Sequence, residues 1–135
     1  MHDQSNTERF AVDSAVQRRV TEQFVEACAT GDLDALLDVL DPDVAGQADL
    51  GGSVGLLAPV VGRDEVGRRL LFFVGPQSGT MLVTMPVLNG PCMIALRDGQ
   101  PFVVVVLTLR DGLVAHIHTV VDPEKLARWA PALGV

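Results

Sequence analysis

Three dipeptides in the second half of the chain, Asn89-Gly90, Asp98-Gly99 and Asp111-Gly112, constrain its fold most strongly. Both residues of a two-residue hairpin turn adopt positive φ angles, which Asn, Asp and Gly tolerate better than other residues. The stretches around these pairs are rich in Val, Leu, Ile, Thr and Met, a composition typical of strands. We therefore predict an antiparallel meander of four strands, at Thr80–Leu88, Cys92–Arg97, Pro101–Arg110 and Leu113–Val121.

The first half of the chain has the periodicity of amphipathic helices. A helix over Asp13–Ala29 is predicted by apolar residues at intervals of four: Val16, Val20, Phe24 and Cys28. A second helix, capped by Asp32, places four leucines on one face: Leu33, Leu36, Leu37 and Leu40. A third helix over Arg63–Val74 buries one stripe: Val66, Leu70, Phe73 and Val74.

Shorter segments complete the predicted order. We expect a strand at Val44–Asp49, a glycine-rich loop at Gly51–Gly55, and a last helix that begins after Asp122-Pro123 and runs through Trp129. The result is an α+β fold in which a cone-shaped, curved antiparallel sheet packs on the N-terminal helices.

Composition narrows the classes of function. With 135 residues we predict one domain at 13–130, with a polar N-terminal tail at 1–12 and a C-terminal tail at 131–135. The net charge of −7 disfavours binding to nucleic acid. The longest apolar run, Phe102 to Leu107, is too short for a membrane helix, and no secretory signal precedes the domain, so we expect a cytoplasmic protein. Cys28 and Cys92 are expected to be buried thiols.

This order of elements and several motifs resemble the SnoaL-like domain of the nuclear transport factor 2-like (NTF2-like, ketosteroid isomerase-like) superfamily. In particular they resemble the C-terminal SnoaL-like domain of extracytoplasmic-function (ECF) sigma factors. That domain carries an Asp-Gly-Gly-Gly-Lys stretch and an Asn-Pro-Asp-Lys-Leu stretch. The counterparts here are Asp49-Leu50-Gly51-Gly52-Ser53 and Asp122-Pro123-Glu124-Lys125-Leu126, and Asn89-Gly90-Pro91 and Arg97-Asp98-Gly99 are similar to its hairpin.

The resemblance implies a pocket inside the cone and a link to transcription. The residues before Val16 are too few for a sigma-factor helical region, so we expect a detached relative that does not itself direct a polymerase. Compared with ketosteroid isomerases, the catalytic aspartate falls at or next to Asp49 and the oxyanion-hole tyrosine falls at Phe24. The chain contains no tyrosine, which predicts that this oxyanion hole is absent.

Six residues are candidates for a ligand site: Asp49, Phe24, Arg69, Asn89, His116 and His118. Burial in an apolar cone is expected to raise the pKa of Asp49, as a general base requires, whereas the alternative is that Asp49 caps the glycine-rich loop. His116 and His118 lie two apart in a strand and share one face, either toward a ligand or toward solvent or a partner. We predict no metal, because no third ligand is evident, and no cofactor.

Two functions from different classes remain open. The first is a non-catalytic module that binds an apolar small molecule or a protein partner in transcription. The alternative is an isomerase, cyclase or hydrolase for a hydrophobic substrate, with Asp49 as acid/base and His116 or His118 assisting. An enclosed cavity shared by Asp49 and Arg69, Asn89 or a histidine would favour the enzyme. Because the strand Pro101–Arg110 is apolar on both faces and needs two covers, we also predict a homodimer packed sheet to sheet.

Overall fold

The computed structural model describes residues 2–87 and 90–129, and their side chains from 15 to 84 and from 91 to 127. These described ranges contain four α-helices, a short 3-10 helix and six strands. The helices are α1 (His2–Thr30), α2 (Leu33–Val39), α3 (Arg63–Val74) and α4 (Pro123–Trp129), and the 3-10 helix is Pro76–Ser78. The strands are β1 (Leu40–Asp49), β2 (Val60–Val61), β3 (Met81–Val87), β4 (Gly90–Arg97), β5 (Gln100–Arg110) and β6 (Leu113–Val120).

The six strands form one curved, unclosed sheet in the order β2-β1-β6-β5-β4-β3. Neighbouring strands are antiparallel except β1 and β6, which pair in parallel from Ala45 opposite His116 to Asp49 opposite Val120. The predicted α+β class is confirmed. The two-residue strand β2 and the 3-10 helix were not predicted, because segments this short carry no periodicity.

The predicted meander is confirmed in β3 to β6. Asp98 and Gly99 have φ angles of 54° and 76°, and Asp111 and Gly112 have φ angles of 53° and 76°. Both pairs therefore have the positive φ angles that the hairpin turns require. Asn89 of the remaining pair lies outside the described residues, and the strand boundaries differ from the prediction by one or two residues.

Two helix boundaries were predicted wrongly. Helix α1 begins at His2, inside the segment 1–12 that we expected to be a tail. Leu40 is the first residue of β1 and not part of α2, with an extended backbone at φ −95° and ψ 135°. Pro42 disfavours a helical conformation for the residue before it, so the chain becomes extended here. The cap of α2 is as predicted, because the Ala35 N–H donates to Asp32 Oδ1 at 3.1 Å.

The main core lies between α1, α2, α3 and one face of the sheet, here called the inner face. The predicted stripe of α1 is buried except for Val16, which is partly buried, and that of α3 is buried except for Phe73, which is 56% exposed. Gly67 lets α3 approach α2 closely, because a Cβ at this position would lie 3.2 Å from the Cδ atoms of Leu33 and Leu37. A residue that weakens the helix in isolation thus allows the two helices to pack closely.

The opposite, outer face of the sheet is partly covered by α4. Leu126 of α4 is buried there in a second cluster that contains Cys92, Ile94, Val104 and Val120. The strand β5 is apolar on both faces as predicted, but the argument that only a second subunit could cover the outer face is wrong, since α4 of the same chain covers part of it. No helix in the described ranges is long and apolar enough to cross a membrane.

Candidate functional site

A cavity of about 330 Å³ lies between α3 and the inner face of β1, β5 and β6. Most of its lining is apolar. The sheet and the segment 50–60 contribute Gly46, Gln47, Ala48, Leu50, Leu57, Ala58, Val60, Phe102, Val103, Val105, Ile117, Thr119 and Val121, and α3 contributes Val66, Arg69, Leu70, Phe73 and Val74.

The alternation of side chains along the strands explains why the cavity forms here. Val103 and Val105 in β5, and Ile117 and Thr119 in β6, project toward α3 because residues two apart in a strand share a face. The corresponding positions of β1 hold the small residues Gly46 and Ala48, which leave space beneath α3 that larger side chains would fill.

The rim of the cavity is unusually apolar for a surface. Leu50, Leu57 and Phe73 are 37%, 42% and 56% exposed, so they present apolar area to solvent at the cavity mouth. The Gln47 side-chain amide donates to the Leu57 carbonyl at 3.1 Å and holds the rim segment on β1. Exposed apolar area around a concave site is typical of ligand-binding clefts.

Among the described residues that line the cavity, Arg69 is the one ionisable side chain. Its Nε donates to Glu65 Oε1 at 2.9 Å, an i, i+4 pair whose side chains are 60% and 50% exposed. Arginine does not transfer protons at ordinary pH. This lining can therefore enclose an apolar molecule, but its described side chains include no general acid or base.

Asp49 does not line the cavity. It ends β1, is only 5% exposed, and accepts two hydrogen bonds: from Lys125 Nζ at 2.5 Å to Oδ2, and from the Gly51 N–H at 3.0 Å to Oδ1. These two bonds, the lysine first, lower the pKa of Asp49 below its ordinary value of 3.8. The expectation that burial would raise this pKa is wrong, because the two hydrogen bonds lower the pKa by more than desolvation raises it.

The alternative interpretation of Asp49, as a cap of the glycine-rich loop, describes its contacts. Gly51 has φ +71°, and a Cβ there would lie 2.3 Å from Cγ of Asp122, the residue before α4. Asp122 Oδ1 in turn accepts from the Glu124 N–H at 3.0 Å. We call Asp49, Gly51, Asp122 and Lys125 the α4 latch, because they connect the end of β1 to the last helix.

The remaining candidates are dispersed. Phe24 is fully buried in the main core and is not among the cavity-lining residues. His116 and His118 share one face as predicted, and it is the outer face, since they alternate with the cavity-lining Ile117 and Thr119. Asn89 lies outside the described residues. Arg69 is thus the one candidate that the structure places at the cavity.

Within the described part of the chain, no three His, Cys, Asp or Glu side chains lie close enough together to hold a metal ion. The two cysteines are buried as predicted, and burial raises the pKa of the Cys28 thiol to about 12 and that of the Cys92 thiol to about 11. Both are therefore protonated at neutral pH and unsuited to nucleophilic attack.

Comparison with solved structures identifies the fold. An "NTF-2 like protein of unknown function" from Burkholderia xenovorans LB400 superposes with a TM-score of 0.59 at 20% identity, over 86% of this chain and 94% of its own. The chain has the NTF2-like fold. The crystal structure of the ECF sigma factor SigJ of Mycobacterium tuberculosis superposes with a TM-score of 0.62 at 26% identity, over 92% of this chain and 48% of SigJ.

Sequence comparison finds a relative of the same class, another ECF sigma factor. The chain is 39% identical over 131 residues to the "Probable ECF RNA polymerase sigma factor SigI" of M. tuberculosis H37Rv, which covers 96% of this chain. The chain spans 43% of the length of that relative. No protein-family model matches the chain. The resemblance to NTF2-like, SnoaL-like domains associated with ECF sigma factors is confirmed.

Sequence reasoning missed Gly46 and Ala48, which create the cavity, and it gave Lys125 no role beyond its motif. Two small residues at alternate positions of a strand that faces a helix are a signal for a void, and this signal was present in Val44–Asp49. Lys125 was harder to identify, because 76 residues separate it from Asp49.

Proposed function

We propose that this chain is a regulatory module that binds an apolar small molecule in the cavity beneath α3 without transforming it. The observation that carries the proposal is the composition of the lining: apolar nearly throughout, with no carboxylate, imidazole, thiol or lysine among its described side chains. A proton-transfer enzyme needs such a group within hydrogen-bonding reach of its substrate.

The enzyme alternative receives less support. Asp49, its proposed acid/base, lies outside the cavity lining, is bonded to Lys125, and has a lowered pKa. His116 and His118 lie on the outer face of the sheet and cannot assist at the cavity. The arrangement therefore favours binding over catalysis.

Transcription is the proposed context, because the relatives named above are ECF sigma factors. In this proposal the module acts in the cytoplasm, and occupancy of the cavity alters its contact with a protein of the transcription machinery. The natural test mixes the purified chain with the part of SigI that lies outside the matched region, and measures the mass of the complex by light scattering. A mixture that elutes as two separate components would count against this partner.

Binding in the cavity is tested by calorimetric titration with 1-decanol, an uncharged apolar probe. We expect the wild type to bind it and Ala48→Phe to lose most of the binding, because the larger side chain projects into the cavity. Ala45→Phe is the matched control, since Ala45 lies three residues earlier in β1 and therefore on the opposite face. Equal binding by wild type and Ala48→Phe would contradict the proposed site.

We also propose that the chain forms a homodimer through the part of the outer face next to β6. This surface contains Val106, Thr108, His116 and His118, where Val106 pairs with His118 and Thr108 with His116. Thr108 is exposed, so Thr108→Lys would place a charge in a sheet-to-sheet contact. Size-exclusion chromatography with light scattering should give a dimer for the wild type and a monomer for Thr108→Lys; a wild-type monomer at micromolar concentration refutes it.

A further inference from the structure

We infer that the ligand of the cavity is a monocarboxylic acid with a hydrocarbon body of about ten carbons, whose carboxylate is held at the rim by Arg69. This inference rests on the proposed function, because it names the class of ligand for the same cavity.

The interior of the cavity selects against polar ligands. Val66, Leu70, Val103, Val105 and Ile117 offer no hydrogen-bonding groups to an enclosed molecule. An amide or hydroxyl buried without a partner costs several kcal/mol, and an unpaired charge costs more. Thr119 adds one hydroxyl to this part of the lining, so the enclosed part of the ligand is mainly hydrocarbon and a charged group must remain at the rim.

Arg69 determines the chemistry of that polar group. Glu65 occupies its Nε, and no other hydrogen bond to the Arg69 guanidinium is found among the described residues, so the terminal Nη groups remain available. Their planar donors match the two oxygens of a carboxylate. The Arg69 guanidinium repels a cationic head group, and Glu65, which would attract one, is not among the lining residues.

The charge of the whole chain limits the head group further. The net charge of −7 repels polyanions such as phosphate esters over long range. A single negative charge next to Arg69 suffers least from this repulsion and gains a local partner. One carboxylate is therefore the head group that both the local and the overall electrostatics accept.

The volume sets the size of the body. A cavity of about 330 Å³ lies at the lower end of the roughly 300–1,000 Å³ found for ligand pockets, so it suits a small hydrocarbon body of about ten carbons. A ten-carbon chain or a compact ring system of similar size fits. The cavity opens to solvent beside Leu57 and Phe73, so a larger molecule would extend past these two side chains.

The test compares decanoate with 1-decanol, two probes of equal chain length that differ in the head group, by calorimetry at neutral pH below their aggregation limits. For the wild type we expect tighter binding of decanoate. Arg69→Gln should weaken decanoate by about five-fold and leave 1-decanol unchanged. Arg68→Gln is the matched control: the same change one residue earlier on α3, exposed and outside the lining.

A further variant tests the role of the ion pair. Glu65→Gln weakens the bond to the Arg69 Nε and removes a competing negative charge, so decanoate should bind about two- to three-fold more tightly while 1-decanol is unaffected. Circular dichroism confirms that each surface variant is folded.

The outcomes separate the two proposals. If decanoate and 1-decanol bind equally well and Arg69→Gln changes neither, the role of Arg69 is refuted while the apolar cavity stands. If neither probe binds the wild type, the cavity proposal and this inference both fail. Selective weakening of decanoate in Arg69→Gln, with Arg68→Gln unchanged, supports both.

Discussion

Replacing Gly51 by alanine should destabilise the protein more than the same replacement at Gly52, its neighbour in the glycine-rich loop. Both glycines have positive φ angles, +71° and +57°. At Gly52 the new Cβ meets nothing within 4 Å, whereas at Gly51 it lies 2.3 Å from Cγ of Asp122. Both variants therefore carry backbone strain, whereas Gly51→Ala alone of the two displaces Asp122.

The two costs can be estimated separately. A left-handed conformation costs an alanine about 1–2 kcal/mol, and the stiffer unfolded chain offsets about 0.4–1 kcal/mol of this, so Gly52→Ala should lose about 1 kcal/mol of unfolding free energy. Gly51→Ala also displaces Asp122, whose Oδ1 accepts from the Glu124 N–H. Loss of such a helix cap costs about 1 kcal/mol, which gives a total of about 2 kcal/mol.

Urea unfolding followed by circular dichroism measures both variants against the wild type. The difference between them, about 1 kcal/mol, isolates the contact between Gly51 and Asp122 from the backbone strain. If the two variants lost equal free energy within about 0.5 kcal/mol, Asp122 would have an alternative position, and the assignment of Gly51 to the α4 latch would be wrong.

Three further predictions follow from contacts in the core and in the latch. Phe24→Ala should lose about 3–5 kcal/mol in urea unfolding because the ring is fully buried, whereas Phe72→Ala, at a ring 74% exposed, should change stability by less than about 0.5 kcal/mol. The stabilisation by Asp49 depends on a lowered pKa, so it is present above pH 3.8 and is lost as the pH falls through the folded-state value. The unfolding free energies of wild type and Asp49→Asn, measured from pH 7 to pH 2, should therefore differ less in acid. A difference that stays constant with pH would contradict the role of the Asp49 carboxylate. Lys125→Met removes the bond between α4 and Asp49, so α4 should cover the outer cluster less firmly and Cys92 in that cluster should be alkylated faster. Cys28 should remain protected, and mass spectrometry of the labelled peptides measures both rates.

The sequence predicts the meander well because its signals are local. The Asp-Gly pairs at 98–99 and 111–112 specify hairpin turns by themselves, and the strands between them are long enough to show their composition. The apolar stripe of α1 is also a local signal. Val20, Phe24 and Cys28 recur at intervals of four residues, and all three are buried in the structure.

The errors occur where another residue, either a sequence neighbour or a distant contact, overrides a local pattern. Leu40 continues the leucine periodicity of α2, yet Pro42 directs the chain into β1. Phe73 lies at the margin of its helical stripe, and at the cavity mouth it remains exposed. Asp49 resembles a general base in sequence, but Lys125, distant in the chain, determines its pKa.

The candidate site was predicted less well than the fold for a related reason. The cavity forms because Gly46 and Ala48 of β1 have little side-chain volume and because β6 places Ile117 and Thr119 beneath α3. Of the six candidates, the structure places Arg69 at the cavity, and the boundaries of its helix, Arg63–Val74, were predicted correctly.

The parallel pairing of β1 with β6 has a consequence for the order in which the chain folds. The hairpins of the meander connect neighbouring segments and close rapidly, whereas β1 must find β6 across about seventy residues, as the 76-residue separation of Asp49 and Lys125 illustrates. We expect this pairing to be among the last steps of folding. Since the cavity lies across the β1–β6 junction, a nascent chain would acquire its binding capacity only when folding is complete, and a ligand would select fully folded molecules.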